Sequence, residues 1–382
     1  MSEGAATRET LLVYRHRLAP ASEVTFLGRF YAGFERLSPV WLGCHIDAGA
    51  KALTDDPLRL GRAGLLGPID RALFRHLGAL PPMPDLRALR PRLLHAHFGR
   101  GGAIALPIAR ALGIPLVVSF LGADATKESH YRKRLVPRVY ARRLAALQHE
   151  AALFICVSEF IRDKLLSRGF PADKLEVIHH GTVIEKLPTA EPAVCDEPFV
   201  LFAGRFVEKK GATHMIEAMR MLQRQGRGAR LVLVGDGPLG PQLREQAAAL
   251  DRVSFLGWLP NAEMHRWMRA AIAVCVPSLT ASDGDSEGLP TMIFEAMAEA
   301  APVVGSRHAG IPEAIEHGRT GLLVPEADPV ALAEALGTLI ADPGLRARLG
   351  QTARQTALER FNALKQSQRL EQTLLRVAEA AR

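Results

Sequence analysis

Two carboxylates that flank a Gly-Leu-Pro turn give the clearest chemical signal in this sequence. Glu287 and Glu295 are separated by seven residues, and Gly288-Leu289-Pro290-Thr291 between them leads into an apolar helical pattern. Pro290 suits the first helical position, because the N–H that proline lacks would have no partner there. The backbone N–H groups of such a helix start can bind an anion beside a polar group of sugar size. Taken alone, the segment equally fits a capped helix with two solvated glutamates.

A second pair of charged residues lies upstream, directly after an apolar strand pattern. Arg205 and Lys210 are five positions apart, between Gly204 and Gly211. A planar guanidinium and a compact ammonium together suit two phosphate groups. Either cation alone would be an ordinary surface residue, but the combination with the two glutamates indicates a ligand site.

Two further motifs indicate other chemistry. Gly235-Asp236-Gly237-Pro238-Leu239-Gly240 matches the dinucleotide fingerprint G-x-G-x-x-G between a strand and a helix, which keeps an NAD enzyme as an alternative. Against it, the motif does not follow the first strand of its domain, and no acid ends the next strand at Leu256-Gly257-Trp258-Leu259. Asp283-Gly284-Asp285 could hold a divalent cation, but no other ligands are nearby, so we expect it to shape a loop and predict no metal site.

Basic residues are concentrated in the first half of the chain, which has a formal net charge of +8. Residues 1–183 contain 26 Lys and Arg against 16 Asp and Glu, and the remaining residues contain 22 against 24. Residues 131–143 include six basic side chains and no acid. This segment suits anionic lipid or a phosphate-bearing acceptor, and equally a solvated helix face. With few aromatic residues and no zinc-finger or RNP-type signature, we expect no nucleic-acid partner.

Composition narrows the class of protein. The polar N-terminal segment lacks an apolar signal-peptide core, and no apolar run reaches the ~18–20 residues of a membrane span. The four cysteines are widely spaced and form no C-x-x-C pair, so we expect reduced, mostly buried thiols rather than zinc or disulfides. These features predict a cytoplasmic protein.

Apolar strand patterns alternate with helical patterns along most of the chain, although residues 50–92 give no clear assignment. Such alternation predicts an α/β protein with parallel sheets covered on both faces. The proline-rich stretch at residues 184–198 suggests a linker between two such domains. In doubly wound domains, ligands bind at the carboxyl ends of the strands. The predicted divisions are residues 1–183, a linker at 184–198, residues 199–357 and a terminal helical stretch at 358–382.

Together these motifs resemble the retaining glycosyltransferases of family four. The resemblance covers about residues 93–326, and its motifs are Gly204-Arg205…Lys210-Gly211, Pro277-Ser278, Glu287-Gly288-Leu289-Pro290 with Glu295-Ala296-Met297, Gly321-Leu322-Leu323-Val324, Val157-Ser158-Glu159-Phe160-Ile161-Arg162 and His179-His180-Gly181. Residues 281–286 further resemble the branch that builds exopolysaccharides such as colanic acid. Pro20-Ala21-Ser22-Glu23 resembles that branch's first loop, which adds Ser22 to the expected donor-binding residues.

The resemblance implies a GT-B fold: two facing Rossmann-like domains, the second binding a sugar nucleotide without a metal or other cofactor. It also implies that the terminal helix crosses back to the first domain. Arg205 and Lys210 would bind and stabilise the diphosphate, Glu295 would hold the ribose, and Glu287 would face the transferred sugar. The remaining donor-binding residues implied are the Gly204 turn, the backbone of Gly288, Leu289, Pro290 and Thr291, and Gly257 with Trp258 near the nucleobase.

One position departs from the family pattern. The family often has His-Gly-x-Asp where this chain has Leu121-Gly122-Ala123-Asp124, so an imidazole that reaches the donor sugar is missing. His97 ends the neighbouring strand and could reach the cleft, although a lone histidine there is more often structural. Asp124 is the better first-domain candidate for binding a hydroxyl of donor or acceptor.

The sequence therefore predicts a retaining, metal-independent glycosyltransferase that acts on a lipid-linked or saccharide acceptor in cell-surface or exopolysaccharide biosynthesis. We expect a peripheral protein on an anionic membrane surface at the inner face of the cell membrane. Two alternatives remain open at this point. One is a nucleotide-sugar epimerase or NAD-dependent enzyme on similar domains, and the other is a non-catalytic polysaccharide-assembly protein.

Overall fold

The computed structural model describes residues 8–18, 26–127, 139–188 and 194–381, which form two compact units. The first unit contains the chain up to His180 together with the segment from Ala363 onward, and the second runs from Gly181 to Asn362. Ser22 and residues 131–138 of the basic segment lie outside the described residues. No helix in the described ranges has the length and apolar character needed to span a membrane.

The first unit is built on a parallel sheet with the strand order β5-β3-β1-β6-β7-β8-β9. β2 and β4 form a separate short parallel ladder. The strands are β1 (Glu9–Tyr14), β2 (Arg17–Leu18), β3 (Leu37–Gly43), β4 (His45–Ile46), β5 (Leu58–Arg59), β6 (Leu93–His97), β7 (Leu116–Phe120), β8 (Leu153–Cys156) and β9 (Leu175–Val177). Strands β6, β7 and β8 are buried along their whole length, because helices cover both faces of a parallel sheet.

Five helices described in this unit precede its last strand. They are α1 (Gly67–Leu77), α2 (Gly99–Leu112), α3 (Ala123–Thr126), α4 (Val139–Glu150) and α5 (Glu159–Leu166). Ser158 caps α5 by accepting a hydrogen bond from the Ile161 backbone N–H. Helix α1 lies in the stretch 50–92, for which the sequence patterns gave no clear assignment.

The second unit repeats this architecture with the strand order β12-β11-β10-β13-β14-β15, all parallel. Its strands are β10 (Phe199–Ala203), β11 (Arg230–Val234), β12 (Val253–Gly257), β13 (Ala273–Val276), β14 (Val303–Ser306) and β15 (Leu322–Val324). Its α-helices are α6 (Ala212–Arg224), α7 (Gly240–Ala247), α8 (Asn261–Ala270), α9 (Thr291–Ala298), α10 (Ile311–Ala314), α11 (Pro329–Ala341) and α12 (Pro343–Arg360). Both sheets reverse their strand order once, between β1 and β6 and between β10 and β13, as in Rossmann folds.

The points where the chain leaves and re-enters the first unit differ from the predicted 183/184 and 357/358 divisions. The Thr182 N–H donates to the Phe361 carbonyl at 2.9 Å, and Thr182 forms a parallel bridge with Asn362. The Phe361 ring packs on Phe294 at 4.4 Å between centroids. Residues 181–188 and 194–198 therefore group with the second unit, as does the end of α12.

Three of the four cysteines, Cys44, Cys156 and Cys275, are buried, and all four are free thiols. Burial is the main cause that raises the pKa of Cys44 to about 11. Burial likewise raises the pKa of the Cys156 and Cys275 thiols. These three thiols stay protonated near neutral pH.

The terminal helix α13 (Ala363–Ala380) belongs to the first unit and is held there by two buried polar side chains. The Glu371 carboxylate accepts hydrogen bonds from the backbone N–H groups of Glu35, Arg36 and Leu37 at 2.7–3.0 Å. The Ser367 hydroxyl donates to the Phe30 carbonyl at 2.8 Å. One buried carboxylate thus satisfies three donors in the segment that precedes β3.

Glu371→Ala is expected to lower the free energy of unfolding by about 3 kcal/mol, since it leaves three backbone N–H groups, including that of the buried Leu37, without their acceptor. Urea-induced unfolding would measure the loss. Glu379→Ala is the matched control, because Glu379 lies on the same helix but is exposed and only weakly paired with Arg36. Equal effects of the two substitutions would contradict the anchoring role of Glu371.

Candidate active site

The loops after β10 and β13 meet where the strand order of the second sheet reverses. A Cβ built on Gly211 would lie 1.9 Å from the Pro277 carbonyl oxygen, and the φ angle of Gly211 is +70°. The Leu279 N–H also donates to the Lys209 carbonyl at 2.9 Å. Only glycine fits this position, which brings the lysines of one loop against the carboxylates of the other.

Lys210 and Glu287 form an ion pair at this junction. The Lys210 Nζ lies 2.9 Å from Glu287 Oε1, and the Glu287 side chain is buried. Burial raises the pKa of Glu287, but the charges of Lys210 and Lys209 and the hydrogen bond from Lys210 outweigh it. The net effect lowers the pKa below its ordinary value of 4.5, so Glu287 is ionised near neutral pH.

A second set of charged contacts fixes the loop that carries Glu287. Lys209 Nζ contacts Asp285 Oδ1 at 3.1 Å and donates to the Ser286 carbonyl at 3.3 Å. The Glu208 carboxylate accepts from the Ser282 N–H at 2.9 Å and from its hydroxyl at 2.8 Å. Asp283 Oδ1 accepts from the Asp285 N–H at 3.0 Å, the loop-shaping contact expected of this pair.

His308 supports the backbone of Glu287 from behind. Its Nε2 accepts from the Glu287 N–H at 3.4 Å, and its Nδ1 contacts the Glu326 carboxylate. These partners define the tautomer that carries its proton on Nδ1. Burial lowers the pKa of His308 below 6.5, against the opposing effect of Glu326, so the ring is neutral near neutral pH.

Sequence reasoning missed both His308 and Glu326. Each stands two residues past the end of a parallel strand, His308 after β14 and Glu326 after β15. Side chains that follow parallel strands gather at one edge of the sheet, so this position was the available signal.

Helix α9 begins one residue later than the sequence predicts. Thr291 is its first residue, and Pro290 is the N-cap with φ −64° and ψ 123°, so Pro290 does not occupy the first helical position. Gly288, Leu289 and Pro290 are buried, and Glu295 is half-buried on the second turn of the helix. The helix start and both predicted glutamates thus belong to one continuous segment.

The G-x-G-x-x-G motif has a packing explanation. A Cβ on Gly235 would lie 2.0 Å from the Gly204 carbonyl oxygen, and one on Gly237 would lie 2.6 Å from the Phe206 carbonyl oxygen. The Phe206 N–H donates to the Asp236 carbonyl at 2.9 Å. These glycines therefore let the loops after β10 and β11 pack backbone against backbone.

Four further predicted residues line the same edge of the sheet. Gly204 follows β10, and Gly257 ends β12 with its carbonyl accepting from the Gly235 N–H at 2.7 Å. Trp258 is exposed, and Arg205 is exposed without an ion pair to any residue that the structure describes. The second unit thus brings together its predicted site residues at the carboxyl ends of its strands.

Asp124 in the first unit is committed to the local backbone. Its carboxylate accepts from the N–H groups of Gly99, Gly122 and Leu121 at 2.9–3.1 Å. Burial raises the pKa of Asp124 above its ordinary value, although these three hydrogen bonds lower it. Asp124 therefore ties the turn after β7 to the start of α2.

His97 lies fully buried in a network of aromatic and polar side chains. Its Nε2 hydrogen-bonds to the Tyr31 hydroxyl at 2.7 Å, and its ring lies nearly parallel to Trp41, with 6.4 Å between ring centroids. The Tyr31 hydroxyl also contacts His95 at 2.7 Å. Leu121 is half-buried against the apolar core of this unit. The structure thus gives His97 the structural environment that the sequence analysis considered more common.

Where the strand order of the first sheet reverses, the nearby charged side chain is Arg15, and no pair of opposite charges like Lys210 and Glu287 is described there. The Arg15 guanidinium lies over the Phe98 ring at 4.1 Å, and Phe98 adopts φ +66°. Burial, then the neighbouring His45, Arg75 and Arg15, lower the pKa of His16 to about 4.

Within the described ranges, no group of three or more His, Cys, Asp and Glu side chains could hold a metal ion.

Two family models match consecutive parts of the chain. The model described as "Glycosyltransferase Family 4" matches residues 43–186, and the one described as "Glycosyl transferases group 1" matches residues 197–342. The two matches do not overlap and together span most of the sequence.

Curated relatives include two exopolysaccharide glycosyltransferases. The amylovoran biosynthesis glycosyltransferase AmsK of Erwinia amylovora is 38% identical over 250 residues. The putative colanic acid biosynthesis glycosyltransferase WcaL of Escherichia coli K12 is 34% identical over 250 residues. Each alignment covers 63% of this chain and 59% of the relative, so the chain matches less than two thirds of either protein.

Solved structures share the fold over nearly the whole chain. Anabaena Alr3699/HepE, solved with UDP and glucose, has a TM-score of 0.76 at 22% identity and aligns over 97% of this chain and 100% of its own. Sucrose-phosphate synthase from Thermosynechococcus elongatus has a TM-score of 0.74 at 21% identity, covering 98% and 100%. At these identities the likeness shows the fold alone.

The two Rossmann-like units, the two consecutive family matches and the motifs at the strand ends agree. The chain belongs to glycosyltransferase family 4 and has the GT-B fold.

Proposed function

We propose that this protein is a retaining glycosyltransferase that transfers a sugar from a nucleoside-diphosphate donor in exopolysaccharide or other cell-surface polysaccharide synthesis. The observation that carries the proposal is the ion pair between the half-buried Lys210 and the buried Glu287 at the strand reversal of the second unit. This pair puts a cation and an ionised carboxylate where a doubly wound sheet binds its ligand.

The positive charge of Lys210 and the negative charge of Glu287 complement the charges that develop on the leaving diphosphate and on the sugar during transfer. When the bond between the anomeric carbon and the phosphate oxygen breaks, the electron pair leaves with the nucleoside diphosphate, and positive charge develops on the sugar. Lys210 and the exposed Arg205 stabilise the departing phosphates, and Glu287 stabilises the sugar and positions it. The acceptor oxygen then bonds to the anomeric carbon on the face that the diphosphate leaves, and its proton passes to the leaving phosphate.

Other residues of the same edge complete the proposed donor site. Glu295 holds the ribose hydroxyls, and the backbone at the start of α9 faces the diphosphate. Trp258 is an exposed aromatic side chain beside Gly257, which suits stacking against a nucleobase. The donor binds without a metal ion, its phosphates being neutralised by protein cations.

We propose a lipid-linked or saccharide acceptor and a cytoplasmic location on the inner face of the cell membrane. Support comes from the basic first half of the chain, which suits anionic lipid. The printed names of two curated relatives, which concern amylovoran and colanic acid biosynthesis, add support.

Nucleotide sugars are expected to bind where NAD does not. A UDP-sugar or GDP-sugar at a hundred times its Kd would stabilise the protein by about 2.7 kcal/mol, visible as a rise in Tm. Thermal unfolding with a panel of nucleotide sugars, free nucleotides and NAD measures this. Stabilisation by NAD alone would reject the proposed donor class.

Lys210→Met and Glu287→Gln are each expected to reduce transfer by about 100-fold, the scale for loss of one preorganised electrostatic contact. The double variant should lose little more than the single ones, since each single change already breaks the pair. Initial rates of sugar transfer or donor hydrolysis provide the measurement.

Lys186→Met is the matched control, because Lys186 is an exposed lysine of the same unit. Its activity should stay within about twofold of the unmodified protein. Near-normal turnover of both Lys210→Met and Glu287→Gln would refute the assigned site.

The activity should fall on the acid side as His308 becomes protonated. Its lowered pKa keeps the ring neutral at higher pH, and protonation below 6.5 removes the Nε2 acceptor of the Glu287 N–H. The pKa of Glu287 is itself lowered from 4.5, mainly by the nearby lysines. The pH profile of kcat/KM for the donor should therefore show an acid limb below pH 6.5 to which the protonation of His308 contributes.

His308→Gln tests this assignment, since the amide can accept from Glu287 and donate to Glu326 but does not titrate. The variant should keep measurable activity and lose the contribution of His308 to the acid limb. An unchanged limb in the variant would show that another group causes it.

A further inference from the structure

The first unit exposes a group of apolar side chains on α1 and on the residues just before and after it. Six of the eleven large apolar side chains that are exposed in the described part of the chain lie within residues 65–80. They are Leu65 (95% exposed), Leu66 (46%), Ile69 (52%), Leu73 (41%), Leu77 (72%) and Leu80 (39%). We name these six residues the α1 apolar face.

The three of these residues that belong to α1 lie on one side of the helix. Ile69, Leu73 and Leu77 follow each other at four-residue intervals and so form one stripe along the helix. Phe74 and Asp70 are buried and project about 100° away from the side chains that precede them. One stripe thus packs α1 on its unit while the neighbouring apolar stripe faces outward.

The core-facing stripe holds α1 firmly in place. The Phe74 ring packs edge-on against Tyr14, with 6.4 Å between centroids. The buried Asp70 carboxylate binds the guanidinium of Arg62 at 2.7 and 3.0 Å and also accepts from the Arg62 N–H. The outward leucines therefore belong to an anchored helix rather than to a loose segment.

The α1 apolar face lies in an arginine-rich stretch of the sequence. Residues 57–80 contain four arginines, and their one acid, Asp70, is buried and paired. Beyond the end of the helix, the exposed Arg142 of the basic segment 131–143 donates to the His76 carbonyl at 2.5 Å. The described end of that basic segment thus adjoins the apolar face.

We infer that the α1 apolar face docks the first unit onto an anionic lipid bilayer. Exposed leucines beside arginines match the two parts of a bilayer surface, acyl chains and anionic headgroups. The inference deepens the membrane location in the proposed function by naming the residues that make the contact. It also moves the main contact from the basic segment alone to an apolar face with a basic border.

Vesicle flotation tests the apolar part. The protein should float with vesicles of phosphatidylglycerol and phosphatidylcholine, and Ile69→Ser/Leu73→Ser should reduce its partition coefficient at least ~10-fold, since two buried apolar side chains are lost. The matched control is Leu89→Ser/Val330→Ser, which removes two exposed apolar side chains elsewhere and should bind as the unmodified protein does. Equal binding of the two double variants would overturn the inference.

Salt and charge test the basic border. Binding should weaken as salt is raised but persist in part, because only the headgroup contact is screened. Arg142→Gln should reduce binding to anionic vesicles by about two- to fivefold and leave binding to pure phosphatidylcholine unchanged, since each basic side chain near the surface contributes about 1 kcal/mol. Binding that is identical on anionic and neutral vesicles would contradict the charge complementarity.

Insertion can be observed directly. Tryptophan fluorescence of Ile69→Trp should shift to shorter wavelength on addition of the anionic vesicles, whereas that of Val330→Trp should not. Equal behaviour of the two variants would overturn the inference.

Sedimentation without lipid tests whether the α1 apolar face instead binds a second copy of the chain. If Ile69→Ser/Leu73→Ser abolishes a dimer and leaves vesicle binding intact, the face joins two copies of the chain and the inference is wrong. The vesicle assays contain neither donor nor acceptor. Normal transfer without vesicle binding would therefore overturn this inference alone, and vesicle binding without transfer would overturn only the proposed activity.

Discussion

The close approach of two backbones at Gly211 and Pro277 is the constraint on which the candidate site depends. At 1.9 Å from a carbonyl oxygen, no side-chain carbon can stand at position 211. The contact fixes the loop after β10 against the loop after β13 and places Lys210 beside Glu287. Breaking a buried pair by removing one partner typically costs about 3–5 kcal/mol, because the remaining charge is left uncompensated. The pair is therefore held by the backbone around it as much as by its own attraction.

Glycines at the same edge allow two backbone segments of the protein to pack closely together. Gly235 and Gly237 admit the carbonyls of Gly204 and Phe206 at distances that any Cβ would block. A dinucleotide fingerprint uses glycine for the same reason, close approach of backbone to another group. The sequence motif alone does not distinguish a pyrophosphate from a neighbouring loop as that group. Here the neighbouring loop is the one that carries Arg205 and Lys210.

The sequence predicted the elements of the second unit closely and its long-range contacts poorly. The predicted alternation of strands and helices is present there, because apolar strand runs end at glycines such as Gly204 after β10 and Gly235 after β11. The Lys210–Glu287 partnership joins positions far apart in the chain, and the only signal for His308 and Glu326 is that each follows a parallel strand by two residues. Helix α1 was missed for a different reason: it is short, and glycine and proline at its ends (Gly67, Pro68 and Gly78) interrupt the pattern. Asp124 shows the same limit, since only tertiary structure reveals the three N–H groups that occupy its carboxylate.

The two units place different chemistry on one topology. Both sheets reverse strand order at the same internal position, and side chains gather after the strands on either side of it. In the second unit that position holds a lysine–glutamate pair, which suits a reaction that separates charge. In the first it holds Arg15 over Phe98, with His16 kept neutral and Asp124 bound to backbone, so the available charge there is positive. The fold thus sets where a ligand can lie, and the residues after each strand set which ligand is bound, because only those loops differ at an otherwise repeated edge.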